Sequence, residues 1–187
     1  QTTKMNPTIP HAVNKVPSLK DSLRQRMKEH RASIHQETAR QKSKTAAQNF
    51  VNYINSVFPE NKRGIVSLYS AMNGELSTTP ILSQLIHAGW TVALPRIQSG
   101  SRILRFHRVD DQTELILGPF RVPEPPAESA EVCAAHIDLI LVPGLAFSKA
   151  GARLGWGQGY YDSTLVTTPR ALRVGYAFEC QITDQVP

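Results

Sequence analysis

A glycine-rich segment between residues 142 and 162 carries the residue types and spacing that most clearly indicate chemistry. It reads VPGLAFSKAGARLGWGQGYYD and holds five of the eleven glycines of the chain. An apolar run, residues 137–142, precedes the glycines, and a helix-compatible run, residues 160–166, follows them. This order is strand, glycine-rich loop, helix. The backbone N–H groups of the glycines can face an anion without interference from Cβ atoms, and the helix N-terminus adds partial positive charge. The segment is therefore suited to binding phosphate.

Two charged side chains flank the glycine loop, which we define as residues 155–159. Arg153 supplies a planar guanidinium suited to bidentate contact with phosphate or carboxylate oxygens. Asp162 follows the loop, and a carboxylate beside phosphate is repelled unless a divalent cation lies between them, so Asp162 is a candidate magnesium ligand. The glycine spacing matches neither the P-loop nor the dinucleotide fingerprint. A plain tight turn, with glycines that serve strand-to-helix geometry alone, therefore stays open as the alternative.

A basic helix is predicted near the N-terminus. Ser18 begins a capping-box pattern, which indicates the first turn of a helix. Apolar residues then recur at i, i+4 and i+8 on one face: Leu19, Leu23 and Met27. Lys20 and Arg24 lie four residues apart, so their side chains share a face and can converge on one phosphate chain. Exposed basic pairs are common on helices, so a solvated surface pair is the alternative interpretation.

The remaining elements alternate between strand and helix patterns. The predicted helices are residues 37–56 and 78–88, and the predicted strands are residues 65–69, 90–95, 103–109, 114–118, 137–142 and 172–178. Residues 119–128 are too rich in proline for regular structure and predict an extended surface connection. This alternation predicts an α/β fold, a three-layer α/β/α sandwich with a mostly parallel central sheet. Ligands bind such sheets at the carboxyl ends of the strands.

Glu75 lies in the loop that follows the first predicted strand. This is a position where open α/β sheets place ligand-binding groups, so Glu75 is a candidate binding residue. The alternative is an acidic residue in the first turn of the next helix, where the helix dipole favours it.

Composition and charge restrict the class of protein. The length of 187 residues predicts one domain, residues 18–187, after a disordered tail, residues 1–17. No stretch has the length and apolarity of a membrane span, and two cysteines without metal-ligand spacing indicate a reducing compartment. We expect a cytoplasmic protein, or a mitochondrial one if the tail is a processed leader. The net charge of +6 is unevenly placed: residues 1–63 hold twelve Lys or Arg against four Asp or Glu, and the remainder is near neutral. Steering of a polyanionic small molecule is favoured over nucleic-acid binding, since no nucleic-acid motif accompanies the charge.

Three motifs together resemble the 5-formyltetrahydrofolate cyclo-ligase family, also called methenyltetrahydrofolate synthetase. The segment from residue 143 to 162 is similar to the family signature, roughly PGxAFDxxGxRLGxGxGYYD, with Ser148 where the family usually has Asp. Residues 20–24 are similar to an N-terminal Lys-x-x-x-Arg that contacts ATP in the family. Glu75 begins a segment similar to the family's Glu-x-x-Thr, whose glutamate binds folate. The resemblance covers residues 18–187.

The resemblance implies a reaction and a set of site residues. Family members use ATP and Mg²⁺ to convert 5-formyltetrahydrofolate to 5,10-methenyltetrahydrofolate, through phosphorylation of the formyl oxygen and attack by N10. The implied catalytic residues are Arg153, Lys20 and Tyr160. The implied ATP-binding residues are Lys20, Arg24, Arg153, Leu154, Gly155, Trp156, Gly157, Gln158, Gly159, Tyr160 and Tyr161. The implied substrate-binding residues are Val66, Glu75, Trp156, Gly157, Gln158, Gly159 and Tyr160. Asp162 is the implied magnesium ligand, and core packing is an equally good interpretation of Tyr161.

We expect small-molecule substrates, no nucleic-acid or membrane partner, and a monomer. Two alternatives stay open. One is a non-catalytic paralogue that binds folate or nucleotide, suggested by Ser148 and by the end of the sequence at Pro187, past which the family usually supplies a second acidic metal ligand. The other is a nucleic-acid-associated module that uses the basic N-terminal residues, whose binding would depend steeply on salt.

Overall fold

The computed structural model describes residues 17–59, 63–72 and 74–187, so the predicted tail lies outside the described residues except for its last position. The helices are α1 (Leu19–Ala32), α2 (Gln36–Val57), α3 (Thr79–His87) and α4 (Tyr160–Leu165). The strands are β1 (Ile65–Ser67), β2 (Thr91–Arg96), β3 (Arg105–Val109), β4 (Ile116–Leu117), β5 (Pro123–Glu124), β6 (Glu131–Val132), β7 (Leu139–Val142), β8 (Ala146–Ser148), β9 (Arg153–Leu154), β10 (Leu172–Gly175) and β11 (Ile182–Thr183). Among the described helices, none has the length and apolar character needed to cross a membrane.

The central sheet has six strands in the order β10-β7-β1-β2-β3-β6. The four strands β10, β7, β1 and β2 run parallel, whereas β3 is antiparallel to both of its neighbours. Val66 of β1 lies opposite Leu139 of β7 on one side and Val92 of β2 on the other. All four residues of β7 are buried, as expected for a parallel strand covered on both faces. The sheet is therefore mostly parallel, as predicted.

Helices cover both faces of this sheet. On one face, Phe50 of α2 and Leu85 of α3 pack against alternate strand residues such as Leu141. On the other face, Ile140 belongs to a second cluster, against which Leu165 of α4 packs. Because neighbouring residues of β7 enter different clusters, the strand separates two apolar layers. The predicted three-layer α/β/α class is confirmed.

Helix α1 packs against a small sheet formed by β8, β9 and β11. Leu23 and Met27 contribute the buried face of α1, and they contact a cluster that includes Leu154 of β9. The predicted N-cap is present, because the Ser18 side chain accepts a hydrogen bond of 3.2 Å from the Asp21 backbone N–H. This docking holds the first helix against the strands that carry the glycine segment.

Gln181 fastens the C-terminal segment to the start of the glycine segment. Its Nε2 donates to the carbonyls of Gly144 at 2.7 Å and Leu145 at 3.1 Å, and its Oε1 accepts from the Phe178 N–H at 3.1 Å. The residue is buried, and hydrogen bonding at both ends satisfies an amide that would otherwise be costly to bury. The Gln181 side chain therefore links the start of the glycine segment to the backbone at Phe178.

The proline-rich residues 119–128 contain regular structure, so the prediction of an irregular connection was wrong in part. Pro119–Arg121 forms a 3-10 turn, and β5 pairs antiparallel with β4 in a separate two-stranded sheet. Proline is compatible with this short ladder because Pro123 is the first residue of its strand, where a missing N–H is tolerated.

Candidate active site

A cavity of about 550 Å³ lies at the carboxyl ends of β1, β2 and β7, beside the glycine loop. Residues at or just past these strand ends line one wall: Tyr69, Ser70, Pro95, Ile97 and Pro143. Helix α1 contributes three cations to the lining: Lys20, Arg24 and Lys28. The cavity thus occupies the edge of a parallel sheet at which ligands bind.

The cavity brings together the predicted site residues with the exception of Val66. The residues that line it are Lys20, Arg24, Glu75, Arg153, Leu154, Gly155, Trp156, Gly157, Gln158, Gly159, Tyr160, Tyr161 and Asp162. Val66 is fully buried in the core, between β2 and β7, and it does not line the cavity. The prediction that Val66 binds substrate is therefore corrected, because strands on both sides and the α2–α3 layer enclose the residue.

Arg24 lies directly against the glycine loop. Its Nε donates to the Gly155 carbonyl at 3.2 Å, and its Nη1 is 2.8 Å from Asp21 Oδ1. Gly157 has a φ of 97°, and a Cβ at that position would be 3.6 Å from the Arg24 guanidinium carbon. Because glycine adopts this left-handed conformation without strain, the loop can turn beneath the guanidinium. The alternative of a solvated surface pair is therefore excluded for Arg24.

Arg153 is held in place on the other side of the loop. Its Nη1 donates to the Pro143 carbonyl at 3.0 Å, its Nη2 pairs with Asp162, and its guanidinium carbon is 5.8 Å from the Tyr161 ring centroid. A Cβ at Gly155 would lie 2.9 Å from Arg153 Nη1, so a side chain there would displace the guanidinium. The cationic group is thus oriented by the protein before any ligand binds.

Asp162 is mostly exposed, and Arg153 is its ion-pair partner. Within residues 17–59, 63–72 and 74–187, no group of three His, Cys, Asp or Glu side chains is placed to hold a metal ion. Mg²⁺ commonly uses one or two carboxylates and completes its shell with phosphate oxygens and water. Asp162 therefore fits a magnesium ion that arrives with a nucleotide, and the described residues do not form a complete metal site by themselves.

Glu75 connects the loop after β1 to the glycine loop. Its Oε1 accepts a hydrogen bond of 2.8 Å from Trp156 Nε1, and its Oε2 accepts one of 3.1 Å from the Met72 N–H. Burial raises the pKa of the Glu75 carboxyl, against the opposing effect of these hydrogen bonds and of the Arg31 charge. Helix α3 begins only at Thr79, so Glu75 is not an acidic residue of its first turn.

The Trp156 ring is packed against cations of α1, which the sequence did not predict. The Arg31 guanidinium carbon is 4.9 Å from the ring centroid, and Lys28 Nζ is 5.4 Å from it. Both distances suit cation–π attraction. Lys28 and Arg31 are three residues apart and share one face of the helix, which was the only indication in the sequence that they act together. The same spacing is equally typical of a solvated basic face.

Glu124 was also missed. Its side chain lines the cavity although the residue is only 2% exposed, and burial raises the pKa of its carboxyl. Oε1 accepts from the Ile97 N–H at 3.1 Å, and Oε2 is 3.7 Å from Arg96 Nη1. The only indication in the sequence was a single acidic residue between two prolines. It lies in a stretch for which we predicted no regular structure.

The two tyrosines after the glycine loop have different surroundings. Tyr161 packs against both core clusters and also lines the cavity, and burial raises the pKa of its hydroxyl. The core-packing interpretation of Tyr161 is therefore supported. Tyr160 lies at the cavity wall, and Phe120 makes an edge-on contact with its ring at a centroid distance of 6.1 Å.

Ser148 is outside the cavity. Its Oγ accepts a hydrogen bond of 3.1 Å from the Ala152 N–H, which closes the turn between β8 and β9. Asp accepts the same kind of hydrogen bond in turns. The departure from the family pattern at this position therefore removes no group from the cavity.

Comparisons with known proteins show which family the chain is similar to. The sequence profile described as the 5-formyltetrahydrofolate cyclo-ligase family matches residues 16–187. A probable 5-formyltetrahydrofolate cyclo-ligase of Caenorhabditis elegans is 30% identical over 184 residues, which cover 92% of this chain and 87% of the relative. The 5-formyltetrahydrofolate cyclo-ligase of Escherichia coli K12 is 34% identical over 126 residues, which cover 65% of this chain and 69% of the relative.

Solved structures give the same assignment. The NMR structure of Aquifex aeolicus 5,10-methenyltetrahydrofolate synthetase superimposes with a TM-score of 0.75 at 30% identity, covering 91% of this chain and 83% of that one. The profile match spans nearly the whole chain, and Pro143 and residues 153–162 of the family signature line the cavity beside the glycine loop. On these grounds, the chain belongs to the 5-formyltetrahydrofolate cyclo-ligase family.

Proposed function

We propose that the protein uses Mg²⁺-ATP to convert 5-formyltetrahydrofolate to 5,10-methenyltetrahydrofolate. The observation that carries this proposal is the convergence of Arg24, Arg153 and the glycine loop in one cavity. Oriented guanidinium groups and backbone N–H groups are the donors that bind and neutralise a triphosphate. The names of the relatives supply the substrate class.

The reaction needs two displacements. The formyl oxygen attacks the γ-phosphorus of ATP and ADP departs; N10 then attacks the formyl carbon, loses its proton, and phosphate leaves. Phosphoryl transfer of this kind requires alignment and charge neutralisation more than covalent help from the protein. Magnesium supplies further neutralisation of the phosphate charge when it is bound, and Asp162 is the residue that would hold it.

The residues of this chain divide the remaining work. Lys20, Arg24 and Arg153 bind the phosphates, and the backbone of the glycine loop cradles them. The prior fixing of Arg153 by the Pro143 carbonyl and Asp162 means that little reorganisation is needed when charge develops in the transition state. Tyr160 follows the loop and lines the cavity, and we assign it contact with the reacting end of the folate.

Glu75 and Trp156 form the neighbouring part of the folate side of the cavity. Since both Glu75 oxygens already accept hydrogen bonds within the protein, the first task of Glu75 is to orient Trp156. The indole ring, backed by Arg31 and Lys28, then gives a flat apolar surface against which an aromatic ring system can pack.

The experiment is to monitor the near-ultraviolet absorbance of methenyltetrahydrofolate in a mixture of protein, 5-formyltetrahydrofolate, ATP and Mg²⁺. We expect growth that stops when either ATP or Mg²⁺ is omitted. A flat trace from folded protein that still binds ATP would contradict the proposed activity and favour a paralogue that only binds its ligands.

We also propose that residues 18–187 act as one domain and as a cytoplasmic monomer. The candidate phosphate-binding, folate-binding and magnesium-binding residues line one cavity of this chain, which supports a monomer. Light scattering coupled to size-exclusion chromatography checks the mass, and an active dimer that loses activity on dilution would contradict the monomer.

A further inference from the structure

A second cavity, of about 620 Å³, adjoins the first. The two cavities share four lining residues: Ile97, Phe120, Glu124 and Tyr160. The rest of its wall comes from the chain after β2, residues 96–100, and from the β4 hairpin, residues 116–119. Because Tyr160 directly follows the glycine loop, a ligand that reacts at the loop can extend past Tyr160 into this second space.

Glu124 lies where the two cavities meet, and one of its oxygens is unused. Oε1 accepts from the Ile97 N–H at 3.1 Å, whereas Oε2 has no hydrogen-bond partner among the described residues. The nearest cation, Arg96 Nη1, is 3.7 Å from Oε2 and donates instead to the Pro125 carbonyl at 2.7 Å. A buried carboxylate oxygen without a donor is unfavourable, so its presence in a cavity wall indicates a place for a ligand donor.

The surrounding backbone is shaped to hold this carboxylate. A Cβ at Gly118 would lie 2.5 Å from Glu124 Oε2, so glycine is required for the close approach. Phe120 and Arg121 both have positive φ, 56° and 59°, a conformation that non-glycine residues adopt at a cost. Strained backbone of this kind is concentrated at ligand-binding sites. The turn that carries Phe120 into the shared wall is thus maintained against local strain.

Glu75, the half-buried carboxylate of the site, does not have a comparable free acceptor. Both of its oxygens accept hydrogen bonds, from Trp156 Nε1 and from the Met72 N–H. A ligand N–H group therefore finds a carboxylate oxygen without a hydrogen-bond donor at Glu124, which lines both cavities.

We propose that Glu124 binds the amino-bearing edge of the pterin ring of the folate substrate, in the second cavity. This inference rests on the proposed function, which supplies the folate. The 2-amino-4-oxopyrimidine edge presents adjacent N–H donors and a carbonyl oxygen. Glu124 accepts from the donors, and Arg96, which also lines this cavity, has further guanidinium N–H groups for the carbonyl.

Adenine is the competing heterocycle, since ATP is the other substrate. Its amino group stands beside a ring-nitrogen acceptor, and the base has no carbonyl oxygen. A carboxylate next to a guanidinium therefore complements the pterin edge better than the adenine edge.

The test is isothermal titration of the wild type and of Glu124→Gln with three ligands. These are 5-formyltetrahydrofolate, its analogue with a methyl group in place of the 2-amino group, and ATP. Glu131→Gln makes the same chemical change in an exposed ion pair with Arg105 and serves as the matched control. Turnover of the wild type is measured first, so that failure of the proposed function is seen separately.

We expect Glu124→Gln to bind 5-formyltetrahydrofolate about ten- to a hundredfold more weakly and to bind ATP about as well as the wild type does. The methyl analogue keeps the ring N–H but lacks the amino group, so the substitution should weaken its binding less than that of 5-formyltetrahydrofolate. If ATP alone is weakened, the second cavity holds adenine and the proposal is overturned. Equal affinity of the wild type for the two folates overturns it as well, and this comparison does not depend on the folding of any variant. If the wild type is active and Glu124→Gln binds 5-formyltetrahydrofolate as well as the wild type does, the role of Glu124 is rejected. The proposed function is then unaffected.

Discussion

Trp156 and Glu75, 81 residues apart in the chain, are joined by a hydrogen bond of 2.8 Å from Nε1 to Oε1. This bond connects the glycine loop to the loop that follows β1, so two walls of the cavity are in direct contact. Arg31 of α1 lies over the same indole ring, which brings the first helix into the arrangement. The position of the loop therefore depends on side chains from three separate parts of the chain.

Removal of this bond is expected to destabilise the protein. Trp156→Phe keeps an aromatic ring but leaves the half-buried Glu75 with one donor fewer, so the free energy of unfolding should fall by about 1–3 kcal/mol. Urea denaturation measures the loss. In a double-mutant cycle with Glu75→Gln, the two effects should be clearly non-additive, because the residues share one contact. Additive effects would mean that the bond contributes nothing to folding.

The raised pKa of Glu75 predicts a pH dependence of stability. The folded state holds this proton more tightly than the unfolded chain, so stability contributed by Glu75 is greatest at low pH. It is lost as the pH rises above 4.5, the ordinary glutamate value, through the raised pKa. Glutamine has no such proton. The free energy of unfolding of Glu75→Gln, relative to wild type, should therefore increase from pH 4.5 towards neutrality in denaturation experiments.

Asp110 gives a control of opposite sign. Hydrogen bonds from Thr113 and from the Gln112 N–H lower the pKa of this exposed carboxyl. Its contribution to stability is complete above pH 3.8 and is lost as the pH falls through the lowered pKa. The difference in free energy of unfolding between wild type and Asp110→Asn should thus be constant from about pH 4.5 to 7. Over the same range the difference between wild type and Glu75→Gln should change. A constant difference for Glu75→Gln over that range would contradict the inferred pKa shift.

The sequence predicted the layers of the fold because a strand that is buried on both faces of the sheet has a continuous run of apolar residues. The uninterrupted apolar run of β7 and the capping residue Ser18 are local signals, and the structure has both where expected. The placement of Val66 failed for a different reason. Successive residues of a strand face opposite sides, and sequence alone does not say which of them ends at the cavity.

The parts of the site that were missed depend on contacts between distant segments. Glu124 is oriented by the backbone N–H of Ile97 and by the glycine at position 118, neither of which is visible from the proline-rich pattern around it. Arg31 contacts Trp156 only because α1 docks on the small sheet, and the basic composition of the helix is equally compatible with exposure.

Asp162→Asn is expected to raise the Mg²⁺ concentration needed for half-maximal turnover by about tenfold or more, because a neutral amide is a weaker ligand for a hard cation. Since Asp162 is mostly exposed, the melting temperature should change little. A magnesium titration of turnover measures the effect. If turnover falls while the magnesium dependence is unchanged, Asp162 acts only by orienting Arg153.

A comparison of Gly157→Ala with Gly151→Ala distinguishes the cost of backbone strain from the effect of a new Cβ in the candidate active site. Both Gly157, at φ 97°, and Gly151, at φ 88°, have left-handed backbone, so alanine at either position should cost about 1 kcal/mol or more of stability. Only at Gly157 does the new Cβ face the Arg24 guanidinium, at 3.6 Å; at Gly151 no atom lies within 4 Å. We therefore expect turnover to fall in Gly157→Ala but not in Gly151→Ala, as compared by the absorbance assay. Equal turnover in the two variants would contradict a role for the loop in binding.

Arg153→Ala is expected to reduce kcat/KM by an amount equivalent to about 2–4 kcal/mol, the usual effect of losing one aligned donor to developing charge. The loss should appear mainly in kcat, because the charge on the transferred phosphoryl group changes most in the transition state. Arg153→Lys should recover little of it. A lysine ammonium cannot contact the Pro143 carbonyl and Asp162 while also facing the Tyr161 ring, as the guanidinium does.

Arg170→Ala provides the control for this change, since Arg170 is exposed and is not among the residues that line either cavity. It removes the same net charge, so a general electrostatic effect on the approach of ATP would appear in both variants and would weaken at higher salt. A kcat loss in Arg153→Ala that persists at high salt and is absent from Arg170→Ala assigns the effect to the aligned guanidinium. Unchanged turnover in Arg153→Ala would remove this residue from the proposed mechanism.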